Sequence, residues 1–310
     1  MRRIRVAVIG AGYLGRFHAL KYNEIKNTEL ISVCDINKEA AISLAKECNT
    51  NFCHDYKSLI NKVDAVTIAA TTSAHFEIAK FFLTKGIHSL VEKPITENSS
   101  EGKELIAIAK SSNAKLQVGH IERFNPAFTS VKKKLGNTKF IECHRLAPFN
   151  KRGCDVNVVH DLMIHDLDVI LSLVKSTPKI ISASGVKILT DSIDIANARI
   201  EFNNGTVVNA TASRVTNSMQ RKFRIFKENQ YISIDFGERK IKLINSIAGR
   251  LEEESWRLDK IDALEEEVSS FISSIQNNTP CKVSGEDGVA ALMLAEKILE
   301  DIDKRNQKTN

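Results

Sequence analysis

A strand-like run that leads into three closely spaced glycines is the feature that most constrains the fold. The run is Ile4–Ile9, and the glycines are Gly10, Gly12 and Gly15 in the sequence GAGYLG. The first glycine permits a tight turn, the second lets a ligand approach the backbone, and the third lets helix and strand pack closely. The segment therefore predicts a buried strand, a tight turn and the start of a helix.

Residues 2–117 alternate between strand-like and helix-like patterns. Short β-branched runs such as LISVCD, VDAVTIAA, HSLVEK and KLQVGH are separated by segments in which apolar residues have helical spacing. This alternation predicts an α/β domain with a doubly wound, parallel sheet, which is the Rossmann architecture. At 310 residues the chain is long enough for two domains, and we assign residues 1–120 to the first.

Residues 121–310 follow a different pattern and are predicted to form an α+β domain. The segments IANARIEFNNGTVVNATASRV and RKFRIFKENQYISIDFGERKIKLIN alternate in polarity and carry turn signals at NNG and ENQ. They predict an open, mostly antiparallel sheet. Helical spacing returns in DALEEEVSSFISSIQ and DGVAALMLAEKILEDI near the end of the chain.

Asp35 ends the second predicted strand, 20 residues after Gly15. A carboxylate at this place accepts hydrogen bonds from the ribose of a dinucleotide, while the pyrophosphate rests on the N–H groups at the helix start. The carboxylate repels the 2′-phosphate of NADP, and no arginine stands directly beside it in DINKE, so NAD is predicted rather than NADP. The alternative is a glycine turn with a surface aspartate.

Composition narrows the functional classes. The net charge of +6 comes from scattered basic residues, apart from KKK at 132–134, which suits an anionic small substrate and not a nucleic-acid surface. The apolar runs are far shorter than the ~20 residues that cross a bilayer, and no signal peptide is recognised, so a cytoplasmic protein without a membrane partner is expected. The six cysteines contain no Cys-x-x-Cys pair, so neither a disulfide framework nor a metal site is predicted.

The sequence HDLMIHDLD at residues 160–168 places ionisable groups in an otherwise apolar helix. At about 100° per residue, Asp161, His165 and Asp168 share one stripe, which is expected to face a binding cleft. Asp161 can orient the His165 ring for proton abstraction from an alcohol. The alternatives are a buried histidine satisfied by an aspartate and a metal site. Asp166 falls on the apolar side and receives no role.

Four motifs occur in order along the first 175 residues. They are GAGYLGRFHA, TTSAHFEIAKFFLTKGIHSLVEKPIT, VGHIERFNP and Asp161-x-x-x-His165. Together they resemble the Gfo/Idh/MocA oxidoreductases, the family of glucose-fructose oxidoreductase and inositol dehydrogenase. The resemblance implies an NAD(P)-dependent dehydrogenase that acts on CH–OH groups. It places Lys93 beside the nicotinamide and the reacting hydroxyl, makes His165 the acid/base, and gives Asp161 a supporting role.

The resemblance also implies which residues line the cofactor. The implied residues are Gly10, Gly12, Tyr13, Leu14, Gly15, Asp35, Thr71, His75, Glu92 and Lys93. A lysine at the carboxyl end of a parallel strand lies at the edge where open α/β sheets bind ligands, and its charge can polarise a carbonyl. Pro94 fixes the turn after Lys93 and is a candidate for a cis peptide bond.

The stretch HRLAPFNKRGCDVNVVHDLMIHDLD resembles one branch of the family, whose genes accompany those for lipid A and whose members oxidise the 3-hydroxyl of UDP-N-acetylglucosamine. The implied substrate contacts are Arg123, Asn125, Arg145 and Arg152, because arginine suits bidentate phosphate binding. The alternative for each arginine is a surface ion pair.

Two other functions are compatible with the sequence. One is a dehydrogenase of a free sugar or a polyol such as inositol, and the other is a non-catalytic NAD(H)-binding sensor on the same fold. The presence of all three candidate catalytic residues, Lys93, Asp161 and His165, argues against a sensor, because a protein that only binds NAD(H) does not require catalytic residues. Relatives use the open sheet to associate, so a homodimer or homotetramer is expected.

Overall fold

The computed structural model describes residues 2–150, 156–259 and 261–309. The chain divides into two compact units, one of residues 1–121 with 262–289 and the other of residues 122–261 with 290–310. The predicted combination of a parallel-sheet Rossmann domain and a domain with a mostly antiparallel sheet is confirmed. The division differs from the sequence-based one because residues 262–289 belong to the first unit.

The first unit is built on six strands: β1 (Ile4–Ile9), β2 (Thr28–Cys34), β3 (Asn51–Cys53), β4 (Ala65–Ile68), β5 (His88–Glu92) and β6 (Leu116–Gly119). They pair in the order β3-β2-β1-β4-β5-β6, and every pair is parallel. The order reverses between β1 and β4. In open α/β sheets, ligands bind at such a reversal, beyond the carboxyl ends of the strands.

Four helices connect these strands: α1 (Tyr13–Glu24), α2 (Lys38–Glu47), α3 (Thr72–Leu83) and α4 (Ser99–Ser111). Asparagine side chains cap two of them, since Asn37 accepts a bond from Ala40 N and Asn98 accepts one from Glu101 N. The turn after α3 contains Gly86 with φ +73°, close to where the sequence predicts the helix to end.

The second unit is built on eight strands: β7 (Phe140–Leu146), β8 (Pro178–Val186), β9 (Ile195–Phe202), β10 (Val207–Ser213), β11 (Gln220–Lys227), β12 (Gln230–Asp235), β13 (Lys240–Ile247) and β14 (Arg250–Arg257). Their order is β14-β13-β12-β11-β7-β10-β9-β8. All neighbours are antiparallel except β7 and β10. The turn signals are explained by Gly205 and Asn229, which have φ of +80° and +58° in the hairpins β9–β10 and β11–β12.

The first α-helices of the second unit are α5 (Pro126–Val131) and α6 (Ile164–Val174). A single π-helical turn at Val159–Met163 directly precedes α6. Most of α6 is buried, as its apolar composition predicts. Lys175, the residue that follows α6, has a left-handed φ of +44°.

Two helices complete the chain, α7 (Ala263–Gln276) and α8 (Gly285–Thr309). The helical pattern of α7 is readable in the sequence, but the pattern does not say which sheet the helix covers. Phe271 and Ile272 of α7 pack in one core with Val6 and Tyr22, and Lys21 Nζ lies 3.0 Å from Asp262 Oδ2. Among the described residues, no helix is both long and apolar enough to span a membrane.

Candidate functional site

The turn between β1 and α1 is shaped by its three glycines. Gly10 has φ +101°, and a Cβ at this position would lie 2.4 Å from the carbonyl oxygen of Ala69. A Cβ at Gly15 would lie 1.8 Å from the Gly10 oxygen, so only glycine lets α1 pack so closely on the turn. Nothing lies within 4 Å of a Cβ built at Gly12, and no side chain caps the helix there. The open helix start fits a pyrophosphate.

Asp35 is fixed at the carboxyl end of β2 by two backbone donors. Ala11 N donates to Oδ2 over 2.6 Å, and Asn37 N donates to Oδ1 over 2.8 Å. The carboxylate therefore reaches the glycine turn itself. The next side chain, Ile36, is 93% exposed. A carboxylate beside an exposed apolar side chain fits a ribose hydroxyl pair and an adenine ring.

The turn after β5 contains Lys93, and the Lys93–Pro94 peptide bond is cis, as the sequence allowed. His75 of α3 is 1% exposed and holds this turn, with Nδ1 2.9 Å from the Pro94 oxygen and Nε2 3.1 Å from the Ala70 oxygen. Burial lowers the pKa of His75. His75 thus joins α3 to the Lys93 turn from within the unit.

The Glu92 side chain points into the same unit. Its Oε1 lies 2.7 Å from His18 Nε2, and Lys93 N donates to Oε2 over 3.3 Å. Burial acts to raise the pKa of Glu92, but the bond and charge of His18 outweigh it and lower the pKa. Glu267 of α7 is close to both, since ligand-type atoms of the three residues lie within 4.8 Å of one another. Glu92 is therefore a buried side chain that binds the backbone of the Lys93 turn.

The structure brings most of the predicted cofactor residues of the first unit to one edge of its sheet. Tyr13 and Leu14 are 58% and 42% exposed at the start of α1, and Thr71 is exposed immediately before α3. Lys93 is partly exposed, whereas His75 and Glu92 are buried beneath it. Contact of these residues with a cofactor stays a prediction.

In the second unit, Asp161 lies in the π-helical turn and His165 is the second residue of α6. Both side chains are partly exposed, although most of α6 is buried. Single π turns are rare and occur frequently at functional sites. The regular helical spacing assumed from the sequence does not hold across this turn, so pairing of Asp161 with His165 stays a prediction.

Asp166, which received no role from the sequence, binds Arg145. Arg145 Nε and Nη2 donate to the two Asp166 oxygens over 3.0 and 2.8 Å, and Nη1 donates to Glu122 Oε1 over 2.9 Å. All three residues are no more than 4% exposed. Burial raises the pKa of Asp166, although the charge of Arg145 opposes the shift. The network is a buried fork of one guanidinium between two carboxylates.

Two further predicted substrate contacts are also engaged within the unit. Arg123 Nη1 donates to Asp168 Oδ1 over 3.1 Å, and Asp168 is 1% exposed. Asn125 caps α5 by accepting a bond from Ala127 N. The expectation that Asp168 faces a cleft is therefore wrong, because Asp168 faces an arginine.

These bonds weigh against direct substrate contact by Arg123, Asn125 and Arg145, and such contact stays a prediction. Arg152 lies outside the described residues.

Arg221 is a cation that the sequence interpretation missed. Arg221 lies on β11, where it is the register partner of Arg145 on β7, and its side chain is exposed. It lines a cavity of about 400 Å³ together with Ser218, Met219, Gln220, Lys222, Asp235, Gly237 and Glu238. The sequence signal that could have identified Arg221 is the alternation along β11, which places Arg221 on the same face of the sheet as Phe223.

Comparison with known proteins places these features in a family. The profile of the Gfo/Idh/MocA oxidoreductases with an NAD-binding Rossmann fold matches residues 4–120, and that of the Gfo/Idh/MocA C-terminal domain matches residues 132–233. A UDP-N-acetylglucosamine 3-dehydrogenase from Acidithiobacillus ferrooxidans is 38% identical over 302 residues, which cover 95% of this chain and 96% of that protein.

A solved structure of UDP-N-acetylglucosamine 3-dehydrogenase from the same organism has a TM-score of 0.93 to this chain at 37% identity, covering 98% of this chain and 99% of that one. An inositol 2-dehydrogenase from Rhizobium meliloti is 23% identical over 331 aligned residues, covering 98% of each chain.

Replacement of Arg145 by alanine is expected to lower the free energy of unfolding by about 3–5 kcal/mol, because it removes the guanidinium that binds the two buried carboxylates of Glu122 and Asp166. Chemical denaturation followed by circular dichroism measures this cost. The control is Arg224→Ala, which breaks the half-exposed ion pair with Glu142 on the same sheet and should cost about 0–1 kcal/mol. Equal costs for the two variants would contradict the role given to the Arg145 network.

Proposed function

Since this chain belongs to the Gfo/Idh/MocA family of oxidoreductases, we propose that it oxidises the 3-hydroxyl of a UDP-linked N-acetylhexosamine with NAD as the acceptor. The observation that carries the proposal is the 38% identity to a UDP-N-acetylglucosamine 3-dehydrogenase along 95% of the chain. The inositol dehydrogenase is less similar, at 23% identity. The proposal includes assembly into a homodimer or homotetramer.

The cofactor is held by the first unit in this proposal. The open start of α1 at Gly12 receives the pyrophosphate, since its N–H groups and helix dipole favour a negative charge. Asp35, held in place by the bond from Ala11 N, would accept hydrogen bonds from the ribose hydroxyls. When bound, the nicotinamide supplies the acceptor for the hydride that leaves the sugar carbon.

The proton of the sugar hydroxyl is taken by His165, with Asp161 holding the imidazole in orientation. Lys93 contributes positive charge, which favours ionisation of the hydroxyl and stabilises the oxygen as it becomes a carbonyl. Two buried side chains fix the backbone at Lys93, because Glu92 accepts a bond from Lys93 N and His75 binds the Pro94 oxygen. A rigid turn of this kind keeps the ammonium group available for the reaction.

The diphosphate of the substrate is bound away from the reacting carbon. Arginines suited to this role are Arg152, indicated by the sequence, and Arg221, exposed at the cavity of the second unit. Binding energy from the diphosphate positions the 3-hydroxyl, so a substrate without the nucleotide loses turnover as well as affinity. This dependence on a remote group distinguishes the proposal from oxidation of a free sugar.

We expect UDP-N-acetylglucosamine to be oxidised with formation of NADH, and free N-acetylglucosamine to be a very poor substrate. Absorbance of NADH measures the reaction, and a ketone trap or an aminotransferase is added because oxidation of an alcohol by NAD is uphill at neutral pH. Myo-inositol and glucose are the controls. Rapid oxidation of either control, with no activity on UDP-sugars, would overturn the substrate and leave the family-level activity.

Replacement of His165 by asparagine is expected to lower turnover by ~10²-fold or more, because the proton acceptor is removed. Binding of NADH, measured by fluorescence titration, should remain unchanged. His160→Asn is the matched control, since His160 lies in the adjoining π turn and is near Asn157. If the His165 variant turns over as fast as the control, the role of the base passes to Lys93.

The wild-type protein is expected to bind NAD more tightly than NADP, because Asp35 meets the 2′-phosphate with like charge. Asp35→Ser should reduce this preference by about tenfold or more, as loss of one charged contact does. Titration with both cofactors measures the ratio. Asp55→Ser is the control, because Asp55 is a carboxylate in the same unit that caps a short helix. Equal wild-type affinities for NAD and NADP would contradict the role of Asp35.

A further inference from the structure

Two cysteines lie side by side next to Asp35. Cys34 is the last residue of β2, Cys53 is the last residue of β3, and the two are register partners in the parallel sheet. Neighbouring strands lie about 4.8 Å apart and register partners point to the same face. A disulfide requires Cα atoms about 4.4–6.8 Å apart. Both thiols are free, and the strand pairing places them where a disulfide can form.

The two thiols differ in accessibility and in acidity. Cys34 is 2% exposed, whereas Cys53 is partly exposed. The bond from Cys34 is the largest influence on Cys53 and lowers the pKa of its thiol, and the hydroxyls of Ser32 and Ser58 act in the same direction. The same bond, together with burial, raises the pKa of Cys34. Cys53 is therefore the thiolate that an oxidant meets first, and Cys34 is the thiol beside it.

The backbone carbonyls of these cysteines accept hydrogen bonds from Asp35 and from Gly10, the two parts of the proposed dinucleotide site. Asp35 follows Cys34 directly, and its N–H donates to the Cys53 oxygen over 3.2 Å. Gly10 N donates to the Cys34 oxygen over 2.8 Å. A change in the backbone at Cys34 and Cys53 therefore reaches the carboxylate and the first glycine of the turn together.

We propose that Cys34 and Cys53 are an oxidisable dithiol, and that a peroxide converts them to a disulfide that weakens dinucleotide binding at Asp35. The second clause rests on the proposed function, and the first does not. The sulfur atoms must approach to about 2.05 Å in the disulfide. The ends of β2 and β3 move to allow this, and the bonds to Asp35 and Gly10 lie in the segment that moves.

The reaction with hydrogen peroxide has two steps. The Cys53 thiolate attacks one peroxide oxygen, the O–O bond breaks, hydroxide leaves, and Cys53 becomes a sulfenic acid. The Cys34 sulfur then attacks the Cys53 sulfur, the S–O bond breaks, and the departing hydroxyl takes the Cys34 proton as water. The two thiols lose two electrons and two protons overall, and one hydrogen peroxide becomes two waters. A thiol reductant reverses the change.

The test treats the reduced full-length protein with hydrogen peroxide, blocks remaining thiols, and maps peptides by mass spectrometry. NADH affinity is titrated before oxidation, after it, and after dithiothreitol. We expect a linked Cys34–Cys53 peptide and a rise in the NADH dissociation constant of about tenfold or more, the effect of losing one hydrogen bond to a charged group. Dithiothreitol should reverse both.

Cys53→Ser and Cys34→Ala should abolish the linked peptide and the peroxide effect on NADH binding. Cys281→Ser is the matched control, a partly exposed cysteine of the same unit, and should leave both unchanged. Absence of the linked peptide in wild type, or oxidation of Cys53 alone, overturns the dithiol. A linked peptide with unchanged NADH affinity overturns its effect on binding. If the reduced protein fails to bind NADH, the proposed function fails, while the peptide still reports on the dithiol.

Discussion

The close approach of Gly15 to the carbonyl of Gly10 is the constraint on which the first unit depends. A side chain at Gly15 would place a carbon 1.8 Å from that oxygen, so any other residue would push α1 away from β1. With glycine, the start of α1 lies at the carboxyl edge of the sheet. Asp35 then reaches Ala11 N, and the Cys34 carbonyl reaches Gly10 N. The contact between Asp35 and the glycine turn therefore depends on the missing Cβ at Gly15.

Buried charges support the candidate sites in both units. His18 is hydrogen-bonded to Glu92 next to the Lys93 turn, and Arg145 forms an ion pair with Asp166 on the helix that contains His165. A buried charge without a partner costs several kcal/mol, so each pair also fixes the geometry of the element on which it lies. Such pairs stabilise the elements that carry the candidate residues Lys93 and His165, and the paired side chains themselves are buried.

Local patterns in the sequence predict most of the strands, the glycine turn and the hairpins, because alternation of polarity and turns with φ > 0 are set by residues adjacent in the chain. The strands β3 and β14 were not predicted. The pattern could not assign α7 to the first unit, since an amphipathic face fits any sheet of suitable size. It also could not show the π turn at Val159–Met163, which alters the spacing between Asp161 and His165. The sequence pattern also could not show that Arg145 binds Asp166, because the two residues are 21 positions apart in the chain.

The two halves of the proposed reaction therefore differ in how far sequence alone determines them. A dinucleotide is held largely by backbone groups and one carboxylate, so its site follows from a local motif. In the proposed function, the diphosphate of a nucleotide sugar is bound by cationic side chains that are exposed. Arg123 and Arg145 are used by Asp168 and Asp166, whereas Arg221 is exposed. Only the tertiary structure separates these arginines, since in sequence all of them are equally suited to a diphosphate.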